Sequence, residues 1–115
     1  MSSDNKVTLR KVKDILVVQL PSALSAETQE DFNEKVQYAL ADTPAVLIID
    51  FAKVQSADAD GIKSIHFAFL RCDEIDTPLI LAAVSEAIRP GLVAAGYFAK
   101  AEEAATADEA VEANL

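Results

Sequence analysis

The chain has 115 residues, 51% apolar and 25% charged, which suits one soluble domain with a single modest core. Nineteen acidic against ten basic residues give a formal charge of −9, which argues against nucleic acid or an anionic membrane as the main partner. One cysteine excludes an internal disulfide and a multi-cysteine zinc site, three glycines leave no phosphate-binding glycine loop, and the longest apolar runs, Ala45–Ile49 and Leu79–Val84, are too short to span a bilayer.

The opening MSSDNK is polar and holds no apolar signal core, so a cytosolic location is the simplest reading. Val7–Lys11 alternates weakly, and Asp14–Leu20 (DILVVQL) is a stronger strand signal. Val12-Lys13-Asp14 between them reads as a tight hairpin, so the first two strands are expected antiparallel. Pro21 stops the second strand. Ser25 is a good N-cap, with Glu27, Glu30 and Asp31 near the positive end of the helix that follows. Phe32, Val36 and Leu40 recur every fourth residue, giving an amphipathic helix over 25–41 that ends at Asp42-Thr43-Pro44.

Val46–Gly61 (VLIIDFAKVQSADADG) is the stretch around which the chain is organised. Its four branched apolar residues are too few for a helix and read as a strand buried on both faces, ending at Asp50. An acidic connection carries Asp58 and Asp60. From Gly61 the pattern turns helical, with Ile62, Ile65, Phe69 and Cys72 in register to about Glu74. A helix start presents free N–H groups and the positive end of its dipole. Thr77-Pro78 opens the strand Leu79–Val84. Ser85 is placed to cap a third helix ending at Gly96. Pro90 lies deep enough in it to require a kink or a later start. Tyr97–Lys100 reads as a short edge strand. Thr106 and Glu109 have capping-box spacing, and a final helix is expected to run to Leu115.

The order β-β-α-β-α-β-α-β-α requires crossovers, hence a mostly parallel sheet, made mixed by the opening hairpin. The expected fold is therefore α/β, one domain over 1–115, with four to five strands and about four helices.

At Asp58-Ala59-Asp60-Gly61-Ile62 the chain resembles the STAS domain family, the fold of bacterial anti-sigma-factor antagonists. The family's motif there is a strand ending in Asp, a short loop, then Asp-Ser-Ser-Gly-Leu opening a helix. LILAAVSEAIRPGLVAAGYF is similar to the family's later strand, helix and Gly-aromatic sequence, and TADEAV resembles the start of its last helix. The resemblance implies a module that binds other proteins, with an anti-sigma factor or kinase-like regulator as partner, and a monomer or weak dimer. In the family the second Ser of the motif is phosphorylated by a cognate anti-sigma kinase. Asp60 stands at that position. It carries −1, against about −1.5 to −2 for phosphoserine, so it reads as a permanent, imperfect phosphomimic. The alternative reading of Asp60 is a helix N-cap, and the two are compatible.

Asp50, Asp58 and Asp60 have the oxygen chemistry of a Mg²⁺ site, but a strand end, a turn and a helix cap explain them without metal, so no metal or cofactor is expected. His66 and Cys72 lie about 120° apart on a helix and make no nucleophile pair. No convergent acid, base or nucleophile set appears, and the reading is non-enzymatic. Phe67 falls roughly 160° from the stripe centre, on the outer face beside Lys63 and Leu70. An exposed aromatic beside a charged helix start suits protein docking, so Asp58, Ala59, Asp60, Gly61, Lys63 and Phe67 form the expected partner surface. Two further functions stay open: a degenerate phosphoacceptor receiver, and a STAS regulatory subunit of a lipid-transport ABC system. Against the receiver, Gln19 stands where an acidic pair belongs, and the interval from Gln19 to Asp50 holds a single helix.

Overall fold

The computed structural model describes residues 6–99 and 101–115. The opening hairpin forms as read, one residue later in its first arm. β1 (Thr8–Val12) pairs antiparallel with β2 (Ile15–Gln19), with Val12 opposite Ile15. Lys13 takes the left-handed conformation (φ 55°) that lets a two-residue turn follow the strand twist.

The remaining elements follow in chain order. A two-residue strand, β3 (Ala23–Leu24), precedes a 3₁₀ turn (Ala26–Thr28) and α1 (Gln29–Ala41). The expected single helix over 25–41 is thus a 3₁₀ turn capped by Ser25, then α1. β4 (Val46–Asp50) leads to a second two-residue strand, β5 (Ser56–Ala57). The helix expected over 61–74 is two: α2 (Ala59–Ser64) and α3 (His66–Glu74), broken at Ile65. β6 (Leu79–Ala82) ends two residues earlier than read, since Ala83 turns the chain at φ 59°.

α4 (Arg89–Ala94) starts late, with Pro90 in its first turn, where the missing N–H costs nothing. Gly96 follows it at φ 79°. The Tyr97–Lys100 edge strand is a correction. Tyr97–Ala99 is a 3₁₀ turn, Lys100 lies outside the described residues, and the edge strand is β7 (Glu102–Ala104). α5 (Ala107–Ala113), capped by Thr106, ends before Leu115.

The main sheet runs β1-β2-β4-β6-β7, parallel apart from its first pair. This order and the antiparallel pair exclude the receiver reading. Successive residues of the central strands feed opposite cores. Leu16, Val18, Leu47, Ile49 and Leu81 pack under α1, α3 and α4 with Phe32, Phe69 and Leu92. Ile15, Val17, Val46, Ile48 and Ile80 pack under α5 with Ala110 and Val111. The unbroken apolar runs follow from this burial on both faces. β7 is clamped to the helix layer by a two-pronged ion pair, Arg89 Nη1 donating to Glu103 Oε1 at 3.0 Å and Nη2 to Oε2.

Candidate functional site

β3 and β5 form a small second sheet, Ala23 opposite Ser56 and Leu24 opposite Ala57. Together they seat the start of α2. The Asp58 N–H donates to the Leu24 carbonyl at 3.2 Å, fixing where the loop becomes helix. Asp58, rather than Asp60, is the N-cap. Its Oδ1 accepts from the Gly61 N–H at 2.6 Å, satisfying one of the orphan donors of the first turn. The sequence offers two acids two residues apart, and the tertiary bond from the Asp58 N–H to the Leu24 carbonyl, which no local spacing signals, decides which of them is the cap.

Gly61 is fixed by a close backbone approach. It holds no left-handed conformation. A Cβ on it would lie 2.0 Å from the Leu24 carbonyl oxygen and 2.8 Å from the Ser25 nitrogen. Glycine is required because α2 presses directly on the β3 backbone.

With Asp58 as cap, Asp60 sits inside the first turn, exposed. Among the described residues no hydrogen bond or ion pair engages its carboxylate. Ala59 and Lys63 are exposed beside it, while Gly61 is buried. Glu27, in the 3₁₀ turn against which α2 packs, adds a further exposed acid.

Phe67 needs correction. The break at Ile65 resets the helical phase, so Phe67 is half-buried against the larger core rather than on the outer face. Arg71 covers its ring, the guanidinium 6.0 Å from the centroid. Leu70 is the exposed apolar residue of this helix, at 51%. Sequence reading also missed Tyr97. Its hydroxyl donates to the Ile62 carbonyl at 3.1 Å, and its ring stacks on Phe69 at 4.4 Å and flanks His66. The Ile62 carbonyl lies at the α2–α3 break, so Tyr97 braces that break from outside the helix.

Asp50 is buried at the end of β4, away from Asp58 and Asp60 in its bonding. Its carboxylate accepts from Gln19 Nε2 and from the Ala52 N–H. Among the described residues no three His, Cys, Asp or Glu side chains come together to hold a metal ion. Cys72 is buried, which pushes its thiol up to about 11. No described helix is long and apolar enough to cross a membrane.

A five-stranded mixed sheet with an antiparallel first pair and helices on both faces is the fold class of the anti-sigma-factor antagonists. One from Mycobacterium paratuberculosis superposes with a TM-score of 0.80 at 18% identity, over 97% of this chain and 96% of that one. SpoIIAA, a Bacillus cell-fate determinant, gives 0.77 in its unphosphorylated form at 19% identity, over 92% of this chain and 93% of its own. Its phosphorylated form gives 0.75 at 18%, over 95% and 99%. No curated protein sequence matches the chain. The STAS domain profile matches residues 6–110, and the chain belongs to the STAS domain family.

Proposed function

We propose that the chain is a protein-binding regulatory module of the partner-switching kind, without enzymatic activity, working in the cytoplasm as a monomer or weak dimer. Its partner is an anti-sigma factor or kinase-like regulator, and the output is control of transcription. Docking is through the start of α2. Ala59, Asp60 and Lys63 offer side chains to the partner, Asp58 and Gly61 hold the shape of the turn, and Phe67 adds the exposed part of its ring. Asp60 acts as a permanent counterpart of the phosphorylated serine.

The observation that carries this reading is the division of labour between the two acids. Asp58 meets the helix's need for a cap, which leaves the charge of Asp60 exposed and without a partner among the described residues. The likeness of the fold to both forms of SpoIIAA supports it further, since one framework accommodates the phosphorylated and unphosphorylated states.

A partner docking here must pair the Asp60 charge or desolvate it, at a cost of a few kcal/mol if it stays unpaired. Asp60→Ser tests the reading against purified anti-sigma kinases encoded beside the protein. Tighter binding by about tenfold or more, roughly 1.4 kcal/mol, together with a new phosphorylation site, is the expected result. Loss of binding would make Asp60 a direct attractive contact and end the phosphomimic reading. Unchanged binding would show that its charge does not govern docking. Stability serves as the control and should barely move, because Asp58 keeps the cap.

A further inference from the structure

On the opposite side of the sheet, the carboxyl ends of β2, β4 and β6 open on a cleft of about 280 Å³ beside the start of α5. Arg10, Gln19, Asp50, Ala83, Thr106 and Asp108 line it. Asp50 is 6% exposed, so its charge is largely withdrawn from water.

Among the described residues its hydrogen bonds come from neutral donors. Gln19 Nε2 donates to Oδ2 at 3.1 Å and the Ala52 N–H to Oδ1 at 3.0 Å. Among the described residues no Lys or Arg forms an ion pair with it. Arg10, the cation among the described lining residues, reaches Asp108 instead, at 3.6 Å. A carboxylate has about four acceptor positions, and the described residues fill two. A buried charge without a counter-charge is costly, and the cost is removed by a cation. The place suits a ligand too, because open α/β sheets bind their ligands outside the carboxyl ends of the strands.

We infer that this cleft binds a small organic cation carrying a primary ammonium, anchored on Asp50. An ammonium brings three donors. Asp50 has acceptor capacity left, the Gln19 carbonyl oxygen is not used by its bond to Asp50, and the Thr106 hydroxyl has a second lone pair beyond the one that takes the Glu109 N–H. Asp108 at the rim is already paired with Arg10, so the uncompensated charge of the described lining is that of Asp50, and it disfavours an anion. The dipole of α5 is no obstacle, because Asp108 and Glu109 already offset its positive end. The volume lies just under the usual range of ligand pockets, so the occupant is small. This inference does not depend on the partner-docking reading, which concerns the start of α2.

The test is an amide NMR titration of the whole protein with n-butylammonium chloride, alongside tetramethylammonium chloride and sodium butyrate. Saturable shifts at Ala52, Ala83, Thr106 and the Gln19 side-chain amide, at millimolar concentrations with n-butylammonium alone, are the expected result. Asp50→Asn keeps an acceptor for the Ala52 N–H but removes the charge, and should weaken binding by about tenfold or more. Should that variant fail to fold, the wild-type melting temperature decides: n-butylammonium should raise it more than either control salt, by linkage. Equal responses to all three salts, no saturable shifts at these residues, or undiminished binding by a folded Asp50→Asn would each overturn the inference.

Discussion

Asp58 and Asp60 are chemically alike and sit on the same turn, yet the structure gives them separate tasks. Asp58→Ala removes a used cap and should destabilise the protein by about 1 kcal/mol. Asp60→Ala, at an exposed position whose side chain bonds none of the described residues, should change stability by less than about 0.5 kcal/mol. Urea melts of the two variants measure the difference, and equal losses would mean that the two acids share the cap. Gly61→Ala should be worse than either, by about 1–3 kcal/mol, because its Cβ meets backbone that cannot rotate away. A third acid contributes to the pH dependence of stability. Burial alone would raise the Asp31 carboxyl. Bonds from Lys35 and the Val7 N–H, with the nearby charges of Lys35 and Lys6, outweigh this and hold it below its ordinary 3.8. A depressed carboxyl stabilises the fold above its unfolded pKa and loses that contribution as pH falls through the folded one. Wild type should therefore lose stability below about pH 4 more steeply than Asp31→Asn, and parallel acid-unfolding curves would refute this.

At the scale of elements, long periodic signals were legible and short tertiary ones were not. The hairpin, α1, β4, β6 and the capped start of α5 follow from alternation, fourfold spacing and capping residues, all properties of neighbouring residues. β3 and β5 have two residues each, too few for any period, and exist only because they pair with each other. The break at Ile65 is equally silent, since Gly61–Glu74 contains no Pro and keeps an apolar stripe. The candidate site shows the same division. The acidic helix start was legible, but the identity of the cap, the backbone seat for Gly61 and the burial of Phe67 depend on β3 and on the break. Tyr97 came from 35 residues beyond Ile62 in sequence. Tyr97→Phe should keep the ring stack but lose the bond to the Ile62 carbonyl, at about 1 kcal/mol. Hydrogen exchange should then quicken at Ile65 and His66, next to the break, more than in β4. A uniform change across the chain would mean that Tyr97 supports the core generally and not the break.

For the whole molecule, the sheet is the structural divide, with a large core under α1, α3 and α4 and a small one under α5. Cys72 reports on the larger. It is 3% exposed, and its thiol is pushed to about 11 because the thiolate would have to form in apolar surroundings. Alkylation needs the thiolate, so in the native state both access and ionisation oppose it. Yet Cys72 also borders a groove of about 430 Å³ between α3 and the start of β6, lined by His66, Asp73, Thr77 and Pro78 among others. Two routes to the thiol are therefore open to comparison: opening of the whole core, or entry through the groove. Depth of burial favours the first. Iodoacetamide labelling at neutral pH should be slowed at least about a thousandfold relative to the urea-unfolded chain. The rate should climb with urea along the slope of global unfolding, because the thiol becomes reactive only when its surroundings are lost. A rate insensitive to low urea would instead place the reagent in the groove, with α3 yielding locally while the sheet stays folded.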